Sequence, residues 1–328
     1  MLSLRNLVLK PGGTPFSHDF AGSAITVVVG RNASGKTALT RIIAGLESPV
    51  AGELLLDDID ITRQTPGQRP VALVTQAFVN YPNWTVRDNL ASPMRAARVA
   101  AAERGRRVDR LARQLGLREL LDRLPSALSG GQQQRLAIGR ALAKNAKVLV
   151  MDEPLVNLDY KLRETLTLEL QTLLHEQSLT VIYTTSDCRD AFAMGDEVLL
   201  LADYAPLQSG RPLQVYQSPA SPLAADLMSD PGTNRHQSGA ALQLIRPEHL
   251  YLEANDPRDI AFSATVLSRE TNGSETFLHC EVEGAHWVAR LDGLVGVSED
   301  QAVTLYAPAD AIIEFPESAV KSSGVSVG

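Results

Sequence analysis

Eight consecutive residues constrain this chain more than the rest of it. Gly30-Arg31-Asn32-Ala33-Ser34-Gly35-Lys36-Thr37 fits the pattern GxxxxGK[ST]. The run AITVVV at 24–29 precedes it, and residues 37–45 read as a helix after it. A continuous β-branched run suits a strand buried on both faces of a parallel sheet. Strand, glycine-rich turn and helix in that order aim successive backbone N–H groups, as far as Ala38, at one point. Such a nest at a helix N-terminus holds an anion. Lys36 adds a point charge suited to β and γ phosphates, and the Thr37 hydroxyl can ligate Mg²⁺. A chance glycine-rich turn is the alternative, and the two correct flanks argue against it.

The run KVLVMDEP at 147–154 supplies a second half. An apolar strand delivers two carboxylates at its C-terminal end. Asp152 can hold Mg²⁺ through water, and Glu153 can orient or deprotonate an attacking water. Strands and helices alternate through most of the chain, which implies an α/β sheet covered on both faces. Residues 2–9 read as an edge strand, and 86–143 as mostly helical. From about residue 229 the texture changes. SDPGTNRHQSG, residues 229–239, reads as a linker. Short alternating segments follow, such as AFSATVLS and TFLHCEV, and these point to a small all-β barrel or sandwich.

At 328 residues, two domains are expected. No apolar run approaches the roughly 20 residues that span a bilayer. MLSLRNLVLK lacks the apolar core of a secretory signal. Cys188 and Cys280 are the only cysteines, too few for a disulfide framework and in keeping with a reducing compartment. From residue 231 onward, six Lys and Arg face fourteen Asp and Glu. That excess argues against a nucleic-acid partner there.

LSGGQQQR at 128–135, preceding a helix and upstream of KVLVMDEP, resembles the signature of the ABC transporter ATPases. Gln76 in VTQAFVNYPNWTV resembles their Q-loop, and residues 155–159, LVNLD, their D-loop. The five motifs stand in the family's order. The resemblance covers residues 1–230 as an ABC ATPase domain, with a helical subdomain at about 77–145. VTQAFVNYPNWTVRDNL, GRPLQVYQSPASPLAADLMSDP and Arg246-Pro247-Glu248 resemble one branch, the ATPase subunits of maltose-type importers for sugars, polyols and glycerol phosphate. NGSETFLH at 272–279 resembles that branch's OB-like domain, here 231–328, which either senses a ligand or protein or helps to hold the dimer.

The resemblance implies a head-to-tail dimer of ATPase domains with ATP and Mg²⁺ between them. The second ATPase subunit is a paralogue or another copy. Ser129, with the backbone of Gly130, Gly131 and Gln132, would bind the γ-phosphate across the interface. Glu153 and Gln76 would act in hydrolysis, and Thr37, Gln76 and Asp152 would hold the metal. Phe78, Tyr81, Pro82 and Trp84 are expected to line a cleft for transmembrane permease subunits; packing inside the helical subdomain is the other reading for these rings. The resemblance places the chain on the cytoplasmic face of the inner membrane, with a substrate-binding protein involved only indirectly. A structural subunit with little turnover and a soluble ABC ATPase outside transport are the rival readings.

Four departures stand out. Ser186 occupies the place of a His that contacts the γ-phosphate, and it is also expected to cap the helix beginning near Arg189. Pro11 stands where the family places an aromatic ring for adenine, with Phe16 the nearest alternative. Ala33 and Val156 replace a common Gly and Ser. Together they raise the expectation of an impaired site in an asymmetric dimer. The arginines of 95–113 are expected to form a solvated helical face, and the scattered His175, His236 and His249 show no metal spacing.

Overall fold

The sequence Ile25–Val29 buries all five side chains, as a strand in the middle of a covered sheet must. The computed structural model describes residues 1–77 and 79–316. The first unit runs Met1–Gln214 and the second begins at Val215. In chain order the first contains β1 (Leu2–Val8), β2 (Phe16–Phe20), β3 (Ile25–Val29), α1 (Lys36–Ala44), β4 (Ala51–Leu56), β5 (Ile59–Asp60), β6 (Val71–Val74) and α2 (Val86–Ala96). It continues with α3 (Ala101–Gln114), α4 (Gly130–Ala143), β7 (Val148–Asp152), α5 (Tyr160–His175), β8 (Thr180–Thr185), α6 (Cys188–Met194), β9 (Glu197–Ala202) and β10 (Ala205–Gly210).

The main sheet has the order β10-β9-β3-β8-β7-β6. Strands β3, β6, β7, β8 and β9 pair in parallel, and β10 returns antiparallel to β9. The register sets Val29 beside Thr185 and Asp152 beside Thr184. The C-terminal ends of β3, β7 and β8 therefore lie side by side, the edge where open α/β sheets bind ligands. A second, antiparallel sheet has the order β2-β1-β4-β5. Strand β1 is thus interior, not the edge strand its sequence implies. The unforeseen β2 covers its other side and leaves Leu2, Leu4 and Leu7 fully buried. One core joins these leucines to Leu39, Ile42 and Ile43 of α1 and to Val28, Val150 and Ile182 of the main sheet.

Helices α2 to α4 form the segment expected to be helical. The Thr85 hydroxyl caps α2 by accepting from the Asp88 N–H at 3.1 Å. A Cβ at Gly139 would fall 2.6 Å from Leu115 and 2.7 Å from Leu90, so glycine permits the close approach of α4. Arg106 and Arg107 of α3 pair with Glu103, and Arg95 pairs with Asp88, all on the surface.

The second unit comprises part of α7 (Pro212–Gln217), α8 (Pro222–Leu227), β11 (Asn234–Ser238), β12 (Ala241–Ile245), β13 (Ile260–Thr271), β14 (Glu275–Val282), β15 (Ala285–Asp292), β16 (Ala302–Ala307) and β17 (Ile313–Pro316). Its sheets have the orders β11-β12-β17 and β15-β14-β13-β16. The stretch 229–239 is not a free linker, because β11 lies within it. The Asn234 side chain donates to the Val288 carbonyl at 2.8 Å and accepts from the Val288 N–H at 2.7 Å, which ties the two sheets together.

Residues 215–230, expected in the first domain, instead group with the β sheets. Arg246 explains this. Its guanidinium is 1% exposed and stacks 3.7 Å over the Tyr216 ring. It donates to the carbonyls of Tyr216 at 2.6 Å and Met228 at 3.2 Å, and to the Ser229 hydroxyl. Neighbouring Glu248 accepts from the Tyr216 hydroxyl at 2.7 Å. A buried cation is stable only when satisfied in this way. Arg246→Ala is expected to destabilise the second unit by about 3 kcal/mol or more. Urea unfolding followed by the fluorescence of Trp287, buried in that unit, measures it.

Candidate functional site

The turn after β3 curls tightly because two of its residues adopt left-handed backbone, Ala33 at φ 63° and Gly35 at φ 106°. Alanine at such a position costs about 1–2 kcal/mol relative to right-handed backbone. The Ala33 departure is therefore a strained residue, where glycine would relax. Gly30 is needed for room. A Cβ there would fall 2.4 Å from the Ser34 hydroxyl and 2.5 Å from the Leu201 carbonyl. Gly35 caps α1 with no side-chain hydrogen bond, which leaves the first-turn N–H groups to a ligand or solvent.

Lys36 is 4% exposed. Its ammonium donates to the carbonyls of Gly30 at 2.7 Å and Arg31 at 3.0 Å, and pairs with Glu153 at 3.0 Å. Asp152 is also buried. It accepts from the Thr184 hydroxyl at 2.9 Å and the Thr37 hydroxyl at 3.4 Å. Glu153 has left-handed backbone at φ 45°, fixed where its N–H donates to the Thr184 carbonyl and hydroxyl, each at 3.1 Å. One open pocket is lined by Asn32, Ala33, Gly35, Lys36, Thr37, Ala38, Gln76, Glu153, Val156, Ser186 and Tyr204. An adjoining recess includes Thr37, Gln76 and Asp152. These three oxygen-bearing side chains fit a hard dication such as Mg²⁺. The Gln76 carbonyl accepts from the Asn157 side chain at 3.2 Å, which links the segment around 76 to 155–159.

Ser186 is exposed and lines this pocket, but it does not cap the following helix. Helix α6 begins at Cys188, and Asp187 is its N-cap, accepting from the Arg189 N–H at 2.9 Å. Behind Ser186 lies a clamp that sequence reading missed. Arg163 pairs with Asp190 at 2.7 Å and Asp187 at 3.1 Å, and the Thr185 hydroxyl donates to Asp190 at 2.6 Å. Burial pushes the Asp190 carboxyl above its ordinary range, with Thr185 and Arg163 opposing. No sequence signal joins Arg163 to residues more than twenty positions away.

Ser129, Gly130, Gly131 and Gln132 form the start of α4 and are not among the described residues lining the pocket. Ser129 and Gln132 cap the helix reciprocally. Ser129 and Gly130 are exposed, while Gly131 is buried where a Cβ would fall 2.9 Å from Leu162. One chain thus carries two separate anion-favouring helix starts.

Among the expected docking aromatics, Tyr81 is 43% and Trp84 41% exposed, with ring centroids 4.5 Å apart. Both are surface rings, braced by the buried Asn89 side chain. That amide accepts from the Tyr81 N–H at 2.8 Å and donates to the Trp84 carbonyl at 2.9 Å. Phe78 lies outside the described residues. Phe16, offered for adenine, packs against the core shared by the two sheets. Tyr204 reaches the pocket and was not foreseen.

Residues 14–156 match the family model described as ABC transporter, and 244–315 match the TOBE domain. The chain is 32% identical to the sn-glycerol-3-phosphate import ATP-binding protein of Ruegeria pomeroyi, over 96% of each chain. It is 35% identical to the alpha-glucoside transport ATP-binding protein of Rhizobium meliloti, over 88% of this chain and 89% of that one. A bacterial ABC transporter cassette solved as a dimer superposes with a TM-score of 0.56 at 26% identity, over 65% of this chain and 99% of the other.

Gly30→Ala is expected to cost about 1–3 kcal/mol through overpacking. Ala33→Gly is expected to raise the melting temperature. Thermal denaturation of the two variants beside the parent measures both.

Proposed function

We propose a function from the premise that this chain belongs to the ABC transporter ATP-binding family: it binds and hydrolyses ATP to drive an importer of a sugar, polyol or glycerol-type solute. The observation that carries the ATPase reading is the convergence of Lys36, Thr37, Asp152 and Glu153 at the ends of β3 and β7. The solute class follows relatives named for sn-glycerol-3-phosphate import and alpha-glucoside transport. Gly30, Arg31, Asn32, Ala33, Ser34, Gly35 and Ala38 shape the amide nest around the phosphates. Lys36 neutralises β and γ oxygens. Thr37, Asp152 and Gln76 would hold Mg²⁺, which offsets charge on the phosphates when bound. Glu153 accepts a proton from the attacking water, and Gln76 helps to position that water.

Neither anion site is complete within one chain. A second ATPase subunit, a paralogue or another copy, offers its Ser129–Gln132 helix start to the γ-phosphate, as this chain offers its own in return. Ser186 is a short hydroxyl where a γ-phosphate donor is expected, so the chain's own pocket turns over slowly beside a more complete partner. Losing such a donor costs about 10²–10³ in rate. The exposed Tyr81 and Trp84 form the surface that meets a transmembrane permease subunit. No helix among the described residues is long and apolar enough to cross a membrane. In the importer reading, attachment to the membrane runs through the permease, on the cytoplasmic face.

Glu153→Gln is expected to retain ATP binding and lose hydrolysis about 10²-fold or more, measured by equilibrium binding and single-turnover hydrolysis. Retained hydrolysis would remove Glu153 as the base; a parent chain that binds ATP without turnover, with or without a partner, points to a structural subunit. Ser186→His is expected to raise turnover about 10²-fold. Ordinary family rates from the parent alone, unchanged by that substitution, would sink the impaired-site reading. Trp84→Ala with Tyr81→Ala is expected to abolish co-purification with the permease while ATP binding persists. A chain that engages no permease under any condition is a soluble ATPase.

A further inference from the structure

Tyr204 is an aromatic ring beside the phosphate pocket that no motif accounts for. It sits in the two-residue turn between β9 and β10, with Asp203 at φ 45° and Tyr204 at φ 65°. Both are left-handed, as in the tight hairpin turns that favour Asn, Asp and Gly. A tyrosine is sterically disfavoured there. The turn is pinned to the phosphate loop by the Tyr204 N–H, which donates to the Ser34 carbonyl at 2.8 Å. A Cβ built on Gly35 would fall 2.9 Å from the ring's Cδ1, so the ring lies against the loop at the residue before Lys36. The Lys10 ammonium stands 4.7 Å from the ring centroid and pairs with Asp203. The ring is half-buried and lines the pocket together with Lys36 and Thr37.

We propose that Tyr204 is the platform on which the base of the bound nucleotide stacks. The inference rests on the reading of this pocket as an ATP site. A triphosphate seated on the Gly30–Thr37 nest must project its nucleoside away from the Lys36 ammonium, along the wall of the pocket. Tyr204 is the aromatic side chain among the described residues of that wall. Phe16 and Tyr204 both touch the core below, but Phe16 is not among the residues lining the pocket. A flat ring stacks on any base, so the platform contributes affinity with little choice among bases.

The test titrates the full chain with magnesium ATP, magnesium GTP and magnesium tripolyphosphate by calorimetry. Tyr204→Gly removes the ring and suits the φ of 65°, so the turn survives; thermal melting of the variant checks this. Tyr204→Phe keeps the stacking face. Tyr204→Gly is expected to weaken ATP and GTP about tenfold and leave tripolyphosphate unchanged. Tyr204→Phe is expected to bind all three like the parent. Unchanged ATP affinity in Tyr204→Gly overturns the proposal. So does an equal loss for tripolyphosphate, which makes the ring a prop for the loop, and so does a Tyr204→Phe variant as weak as Tyr204→Gly. A parent that binds tripolyphosphate but gains nothing from the nucleoside overturns the stacking alone. A parent that binds neither ligand removes the ATP reading and the platform with it.

Discussion

A buried ammonium must be satisfied on every side, and Lys36 sets that requirement at the centre of the first unit. Two loop carbonyls and the Glu153 carboxylate meet it. Breaking a buried pair of this kind costs about 3–5 kcal/mol. The carbonyls reach the lysine only because the loop passes through left-handed backbone at Ala33 and Gly35. Glu153 reaches it only because β7 ends beside β8 in the register that brings Thr184 under its backbone. The loop, the sheet order and the acid pair are therefore consequences of one another.

The same arrangement explains the division of labour within the chain. The parallel sheet collects cation, hydroxyl and carboxylates at one edge. The Ser129–Gln132 helix start stands outside that collection, reciprocally capped and exposed. Its own first turn carries no acidic residue. The Arg163 clamp braces the residues that follow Ser186, while Ser186 itself presents a short hydroxyl to the pocket.

The second unit is organised by a different buried cation. Arg246 gathers carbonyls from the segment before the β sheets. Asn234 joins the two sheets through both backbone groups of Val288. These are polar keys in an otherwise apolar core of Trp287, Phe262 and Leu278. The Asn234 amide and the Arg246 guanidinium both find partners, which makes the packing around them specific as well as stable.

Local pattern was enough for the elements that carry chemistry. The β-branched run before Gly30, the glycines of the loop and the apolar strand ending at Asp152 all encode their own geometry over a few residues. The α/β architecture and the β-rich C-terminal part followed from the spacing of such runs. Tertiary structure alone decided what depends on partners distant in sequence. Strand β1 became interior because β2 and β4 flank it. Residues 215–230 grouped with the β sheets because Arg246 lies far downstream of the carbonyls it satisfies. The cap of α6 passed to Asp187, since its carboxylate meets the Arg189 N–H while Ser186 faces the pocket. Tyr204 entered the pocket because pairing of β9 with β3 sets the following turn beside the phosphate loop. Periodicity reads a residue's own backbone and face; it carries no information about which distant group will stand opposite.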